Sequence, residues 1–213
     1  ITTCGSRPSP AMHKRHALIS MVSVIGLAAT VGTLGACSDG KPSFAGIDLT
    51  GADYARDFQL PDQNGQTRQL ADFKGKLVVV FFGYTQCPDV CPTSMAELAE
   101  IKRLLGPDGD KLQGIFVTVD PERDKPELLK AYMASFDPGF LALRPASPEQ
   151  LAALAKDFKV YYKRVEGKTP TSYTMDHSAG SYVYDTDGRL RLYWRYGMGA
   201  APSAADLKAL LKR

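Results

Sequence analysis

Two nearly unbroken apolar runs limit what this chain can fold into. Lys76-Leu77-Val78-Val79-Val80-Phe81-Phe82-Gly83-Tyr84 and Gln113-Gly114-Ile115-Phe116-Val117-Thr118-Val119-Asp120 show no polar alternation in their interiors. A strand with one solvated face alternates, whereas a run apolar at every position belongs to a strand covered on both faces. Strands of that kind need helices above and below the sheet, so the chain reads as an α/β layered fold. Between the runs, Met95, Leu98, Ile101, Leu104 and Leu105 recur at helical spacing, and Gly106-Pro107 supplies a stop.

The remaining segments fit the same plan. Residues 57–60 and 67–70 alternate on either side of a turn containing Asn64-Gly65, a hairpin at the start of the domain. A helix is expected over 126–136, with Leu128, Leu129, Tyr132 and Met133 on one side, and a short strand over 141–143. Ser147 followed by Pro148 opens a further helix that runs to about residue 158. A strand at 160–162 precedes a polar, mobile loop over 163–173. Strands at 180–184 and 190–196 then flank the turn Asp185-Thr186-Asp187-Gly188. Ser203 is expected to cap a last helix over 204–211. No internal repeat is present, and 213 residues suit one domain, 54–213, behind a leader and a tether.

The leader occupies residues 1–36. Met12-His13-Lys14-Arg15-His16 is basic, 17–34 is apolar and uncharged, and Leu34-Gly35-Ala36-Cys37 closes the segment. A basic stretch, an apolar stretch and small residues before a boundary make an export signal. The cysteine at the boundary resembles the lipidation site of a bacterial lipoprotein, with Cys37 as the anchor. An uncleaved membrane anchor is the competing reading of the same segment. Either puts the domain outside the cytoplasm. Residues 37–53, polar and rich in Gly, Ser and Asp, read as a tether that holds the domain off the membrane. The formal charge of +3 comes from the leader. Without Arg7, Lys14 and Arg15, the chain carries 23 basic and 23 acidic residues, which argues against a nucleic-acid surface.

Of four cysteines, only Cys87 and Cys91 fall inside the domain. They lie where the first apolar run gives way to a helix, the edge at which open α/β sheets bind ligands. Helix amides beside the sulfurs favour thiolate, and Pro92 suits a first helical turn. Three readings stay open for the pair: a structural disulfide, a thiol–disulfide redox couple, and a soft-metal clip. His177 is the one histidine beyond the leader. Two thiolates and an imidazole suit Cu(I), or Cu(II) in a distorted geometry, better than zinc, which takes a fourth ligand. Asp176 beside it is a candidate to orient the imidazole. Met95 and Met133 belong on apolar helix faces, and Met175 lies near enough in sequence to be a thioether candidate.

Three motifs taken together go further. Gly83-Tyr84-Thr85-Gln86-Cys87-Pro88-Asp89-Val90-Cys91-Pro92, then Val119-Asp120-Pro121-Glu122-Arg123-Asp124, then Asp176-His177-Ser178 resemble the Sco/SenC family over about residues 55–213. Many members carry histidine where this chain has Gln86. The resemblance implies a thioredoxin-like fold, with a central mixed sheet flanked by helices and an N-terminal β-hairpin. It implies a copper site of Cys87, Cys91 and His177, in which the two cysteines pair as a disulfide when oxidised. Asp120 and Asp124 would shape the surroundings of the site or a docking face. The implied role is a metallochaperone that brings copper to the Cu(A) centre of cytochrome c oxidase subunit II. The alternative is a thiol–disulfide reductase acting on that subunit or on other periplasmic cysteines. Partners would then include other periplasmic copper chaperones or thiol reductases, with the membrane reached through the lipid anchor.

Overall fold

The computed structural model describes residues 43–169 and 172–212. The leader, Cys4, Cys37 and the first part of the expected tether lie outside the described residues. A six-stranded mixed sheet forms the centre. Its middle strand is β4 (Leu77–Gly83), preceded in the chain by β1 (Ile47–Asp48), β2 (Gln59–Pro61) and β3 (Thr67–Gln69). β4 runs parallel to β5 (Leu112–Thr118), which runs parallel to β6 (Leu141–Leu143). On its other side β4 is antiparallel to a strand over Ser181–Tyr184, which pairs antiparallel with one over Leu190–Trp194. Every residue of β4 and β5 is buried, the outcome that their unbroken apolar runs demand.

Helices cover both faces. α1 (Val90–Leu104) and α2 (Pro126–Ala134) lie over the face that carries Phe81 and Phe116. On the opposite face, Phe82 stacks against Phe158 at the end of α3 (Pro148–Asp157) and against Tyr182. Ser147 caps α3 as expected, its hydroxyl accepting the Gln150 amide at 3.2 Å. The hairpin of β2 and β3 covers the β6 edge. Asp62 bridges to Leu143, and the Arg144 amide donates to the Pro61 carbonyl at 3.0 Å. An edge strand covered in this way is not left open to a second chain.

Four expectations change. The described part of the tether, 43–53, is docked onto the domain: β1 pairs with the Leu190–Trp194 strand as the outermost strand of the sheet. Asp206, buried in the last helix, accepts the Ala45 and Gly46 amides at 2.8 and 2.9 Å and Trp194 Nε1 at 3.0 Å. Second, the segment read as a strand at 160–162 and a loop from 163 contains β7 (Tyr162–Val165). It pairs with β8 (Thr174–His177) as a two-stranded sheet apart from the main one. After β9 (Ser181–Tyr184) and β10 (Leu190–Trp194) comes α4 (Ala200–Leu211), which starts earlier than expected. Ser203 therefore does not cap it but lies inside it, its hydroxyl donating back to the Gly199 carbonyl at 2.8 Å. The cap position belongs to Gly199, whose φ of 90° suits glycine. Finally, Leu128 points outward and is 42% exposed, while Leu129 and Met133 are in the core.

Removing the Asp206 carboxylate orphans three donors at once. Asp206→Ala is expected to lower the unfolding free energy by about 1–3 kcal/mol. In urea denaturation this appears as a lower midpoint at an unchanged slope. An unaltered midpoint would mean that residues 45–48 add nothing to the fold.

Candidate metal centre

The site begins at the end of β4. Gly83 faces α1, and a Cβ there would sit 2.7 Å from Cys91 Sγ, 2.8 Å from the Phe81 ring and 2.9 Å from the Phe116 ring. Glycine is what lets the first turn of α1 lie against the strand. Cys91 falls in that turn and is fully buried, while Cys87, in the connecting loop, is half-buried. Asp89 occupies the cap position without a capping bond from its side chain. The Cys91 amide instead donates to Cys87 Sγ at 3.4 Å, so the sulfur takes one of the amides that a helix start leaves free.

His177 is the last residue of β8. Its Nε2 lies 3.3 Å from Cys91 Sγ, and its Nδ1 lies 2.9 Å from the Ser178 carbonyl. A carbonyl only accepts, so the proton sits on Nδ1 and the Nε2 lone pair faces the sulfur. Phe81 and Tyr84 meet the imidazole edge-on, at centroid distances of 6.0 and 5.9 Å. The ligand atoms of Cys87, Cys91 and His177 all lie within 4.8 Å of one another. Cys87 and His177 line a cleft of about 300 Å³ together with Val90, Tyr161, Met175, Asp176 and Ala179, and Cys91 lies buried behind it. Both cysteines are free thiols.

Burial sets the electrostatics. It pushes the Cys91 thiol well above its ordinary value, and the nearby Cys87 adds to the rise. The helix start was expected to favour thiolate, but for Cys91 the loss of water outweighs that pull. Burial also lowers the His177 pKa, with the Ser178 carbonyl and Asp176 pulling weakly the other way. The pocket without metal is thus a neutral thiol beside a neutral imidazole. A cation supplies the charge compensation that the buried sulfur lacks, and its binding releases protons. Two sulfurs and one nitrogen form a soft, three-donor set that fits copper.

The other candidate residues separate. Asp176 is exposed, and the imidazole is oriented by the Ser178 carbonyl instead. Asp120 and Asp124 are both buried, among the surroundings of the site. Asp124 accepts the Thr85 hydroxyl at 2.6 Å, the Thr85 amide at 3.1 Å and the Thr118 hydroxyl at 2.6 Å, which pins the cysteine loop to the end of β5. Asp120 accepts Arg123 Nε and the Tyr173 hydroxyl. Met95 and Met133 are core residues, and Met175 lines the cleft. Sequence reasoning quoted Gly83, Thr85 and Ser178 within motifs but gave them no role, and it did not single out Tyr173. The Phe-Phe-Gly ending of the strand was a usable signal for the first.

Comparison with known proteins bears on the same residues. The family model described as SCO1/SenC matches residues 48–212. The SCO2-like protein of Rickettsia felis is 39% identical over 134 residues, covering 62% of this chain and 65% of the relative. The matched stretch thus spans about two thirds of that relative's length. Among solved structures, Bradyrhizobium japonicum ScoI with copper bound is 45% identical, with a TM-score of 0.66 over 72% of this chain and 97% of the other. The apo Sco1 protein of Thermus thermophilus is 37% identical, with a TM-score of 0.69 over 80% and 99%. The thioredoxin-like fold implied by the sequence is therefore the fold observed.

The lowered His177 pKa has a signed consequence. The unfolded chain takes up the imidazole proton before the folded one. The contribution of His177 to stability is then complete above about pH 6.5 and declines as the pH falls through the window below it. In metal-free, reduced protein the His177 ring protons should titrate below about pH 6.5 in NMR spectra. The same decline in stability should be missing from His177→Phe. A midpoint at or above the ordinary value would contradict the buried, neutral imidazole.

Proposed function

The chain belongs to the SCO1/SenC family, and from that premise we propose that it is a copper carrier. In this reading it is tethered to a membrane outside the cytoplasm and serves assembly of the Cu(A) centre of cytochrome c oxidase. The observation that carries the proposal is the convergence of Cys87, Cys91 and His177 within 4.8 Å in a chain 45% identical to a copper-bound protein. Copper is the cargo. Cys87 and the open cleft give it a way in, Cys91 holds it from below, and His177 completes the set from β8. Loss of the cysteine protons accompanies uptake, and a receiving protein regains the metal through the exposed side of the cleft.

The anchor rests on the sequence pattern that ends at Cys37, with the tether reduced to the few residues before the docked segment. Among the described residues, no helix is long and apolar enough to cross a membrane. Cytochrome c oxidase subunit II is the proposed receiver, with periplasmic copper chaperones or thiol reductases acting upstream.

A second reading draws on the unequal burial of the two thiols. Cys87, the more exposed, attacks a target disulfide, forms a mixed disulfide and expels one target thiolate. Cys91 then attacks Cys87, which releases the second target thiol and leaves Cys87 and Cys91 joined. Two electrons pass to the target. The oxidised pair has no thiolates to offer copper, so the same step switches the metal site off.

Anaerobic titration of the reduced chain with Cu(I) against a competing chelator tests the proposal. The reduced chain is expected to bind one copper, and the oxidised chain none. His177→Ala should weaken binding by about 100-fold or more, given that even outer partners of metal ligands are worth 10–100-fold. Disulfide exchange by His177→Ala should stay near wild-type. A reduced chain that binds no copper would leave only the reductase reading.

A further inference from the structure

The two segments that supply the metal donors belong to different sheets. Cys87 and Cys91 follow β4 of the six-stranded sheet, while His177 ends β8 of the separate two-stranded one. Beneath that small sheet lies a cavity of about 430 Å³, lined by Pro121, Leu151, Tyr162, Tyr173 and Met175 among others. Apolar packing therefore does not press the β7–β8 hairpin onto the body over its whole face. His177 meets the dithiol directly at one end of β8, and at the other end Arg123 links Tyr173, which leads into the strand, to the cysteine loop.

Arg123 makes three kinds of contact. Its Nε donates to Asp120 Oδ2 at 2.5 Å within its own turn. Its Nη1 donates to Gln86 Oε1 at 3.0 Å, on the residue before Cys87, and to the Tyr173 carbonyl at 2.8 Å, on the residue before β8. The guanidinium also lies 3.5 Å from the Tyr173 ring centroid and 5.7 Å from that of Tyr84, the ring that meets His177 edge-on. The Tyr173 hydroxyl closes the arrangement by donating to Asp120 Oδ1 at 2.9 Å. One planar fork thus spans the cysteine loop, the turn after β5 and the strand that carries the histidine. A lysine ammonium cannot make parallel bonds and a stacking contact together in this way.

We infer that Arg123 is a positioning residue that holds the His177 imidazole at the dithiol and so sets how slowly bound copper is released. The inference rests on the copper reading of the site. It predicts that loosening the fork lets β8 move away and leaves copper on two sulfurs.

The experiment compares wild-type, Arg123→Gln, Arg123→Lys, His177→Ala and the Arg123→Gln/His177→Ala double variant. In each, release of Cu(I) to a chelator is followed by stopped flow. Arg123→Gln should bind one copper and release it about 10-fold faster, the size of effect seen for outer partners of metal ligands. Arg123→Lys should fall between the two. In the His177→Ala background, Arg123→Gln should add no further acceleration, because the two changes act through one ligand. Equal acceleration with and without His177, or no acceleration at all, would overturn the inference. A metal-free arm stands apart from the copper reading: amide exchange in the reduced apo protein should speed up at β7 and β8 in Arg123→Gln and stay unchanged at β4 and β5. Unchanged protection at β7–β8 would sink the clamp even if wild-type bound no copper, and faster exchange would uphold it.

Discussion

A sulfur atom resting on the bare backbone of Gly83 is the contact from which the site is built. Any side chain there would enter the space of Cys91 Sγ and of two phenylalanine rings. Because the position is empty, α1 begins directly against the end of β4, and Cys91 is buried on the strand instead of being held off it. β4 in turn can be buried on both faces only because α1 and α2 cover one side and α3 the other. The geometry of the sulfur is thus a consequence of the sheet's layering, and Asp124 fixes the loop between by accepting three bonds from Thr85 and Thr118.

Burial also decides the chemistry. Water is excluded around Cys91, so an uncompensated thiolate is disfavoured there despite the helix start. The same exclusion keeps His177 neutral with its Nε2 lone pair turned to the sulfur. A site of this kind gains charge and cation together. That couples copper uptake to proton release, and in the proposed function the redox state of the dithiol gates both.

Much of this was legible in the residues. The two unbroken runs announced strands covered on both faces, and the cysteine pair fell where a strand passes into a helix. His177 followed from being the one histidine of the domain. The β7–β8 hairpin was hidden because Lys163 and Arg164 are polar and the strand buries little, so no apolar alternation marks it. Asp120, Asp124 and Asp176 kept two readings open for a related reason: sequence carries charge without burial, and it is the structure that buries the first two and leaves Asp176 facing water. The docking of Ile47–Asp48 depends on Asp206, 160 positions from Gly46, a pairing that no local pattern encodes.

The central claim is that two sulfurs from one loop–helix junction and one imidazole from a separate hairpin converge on a single copper ion. X-ray absorption at the copper edge of the reduced, Cu(I)-loaded chain tests it most directly. The account predicts a shell of two sulfur scatterers and one nitrogen scatterer, with the outer-shell pattern of an imidazole that disappears in His177→Ala. A shell without sulfur, or one unchanged by loss of His177, would contradict it.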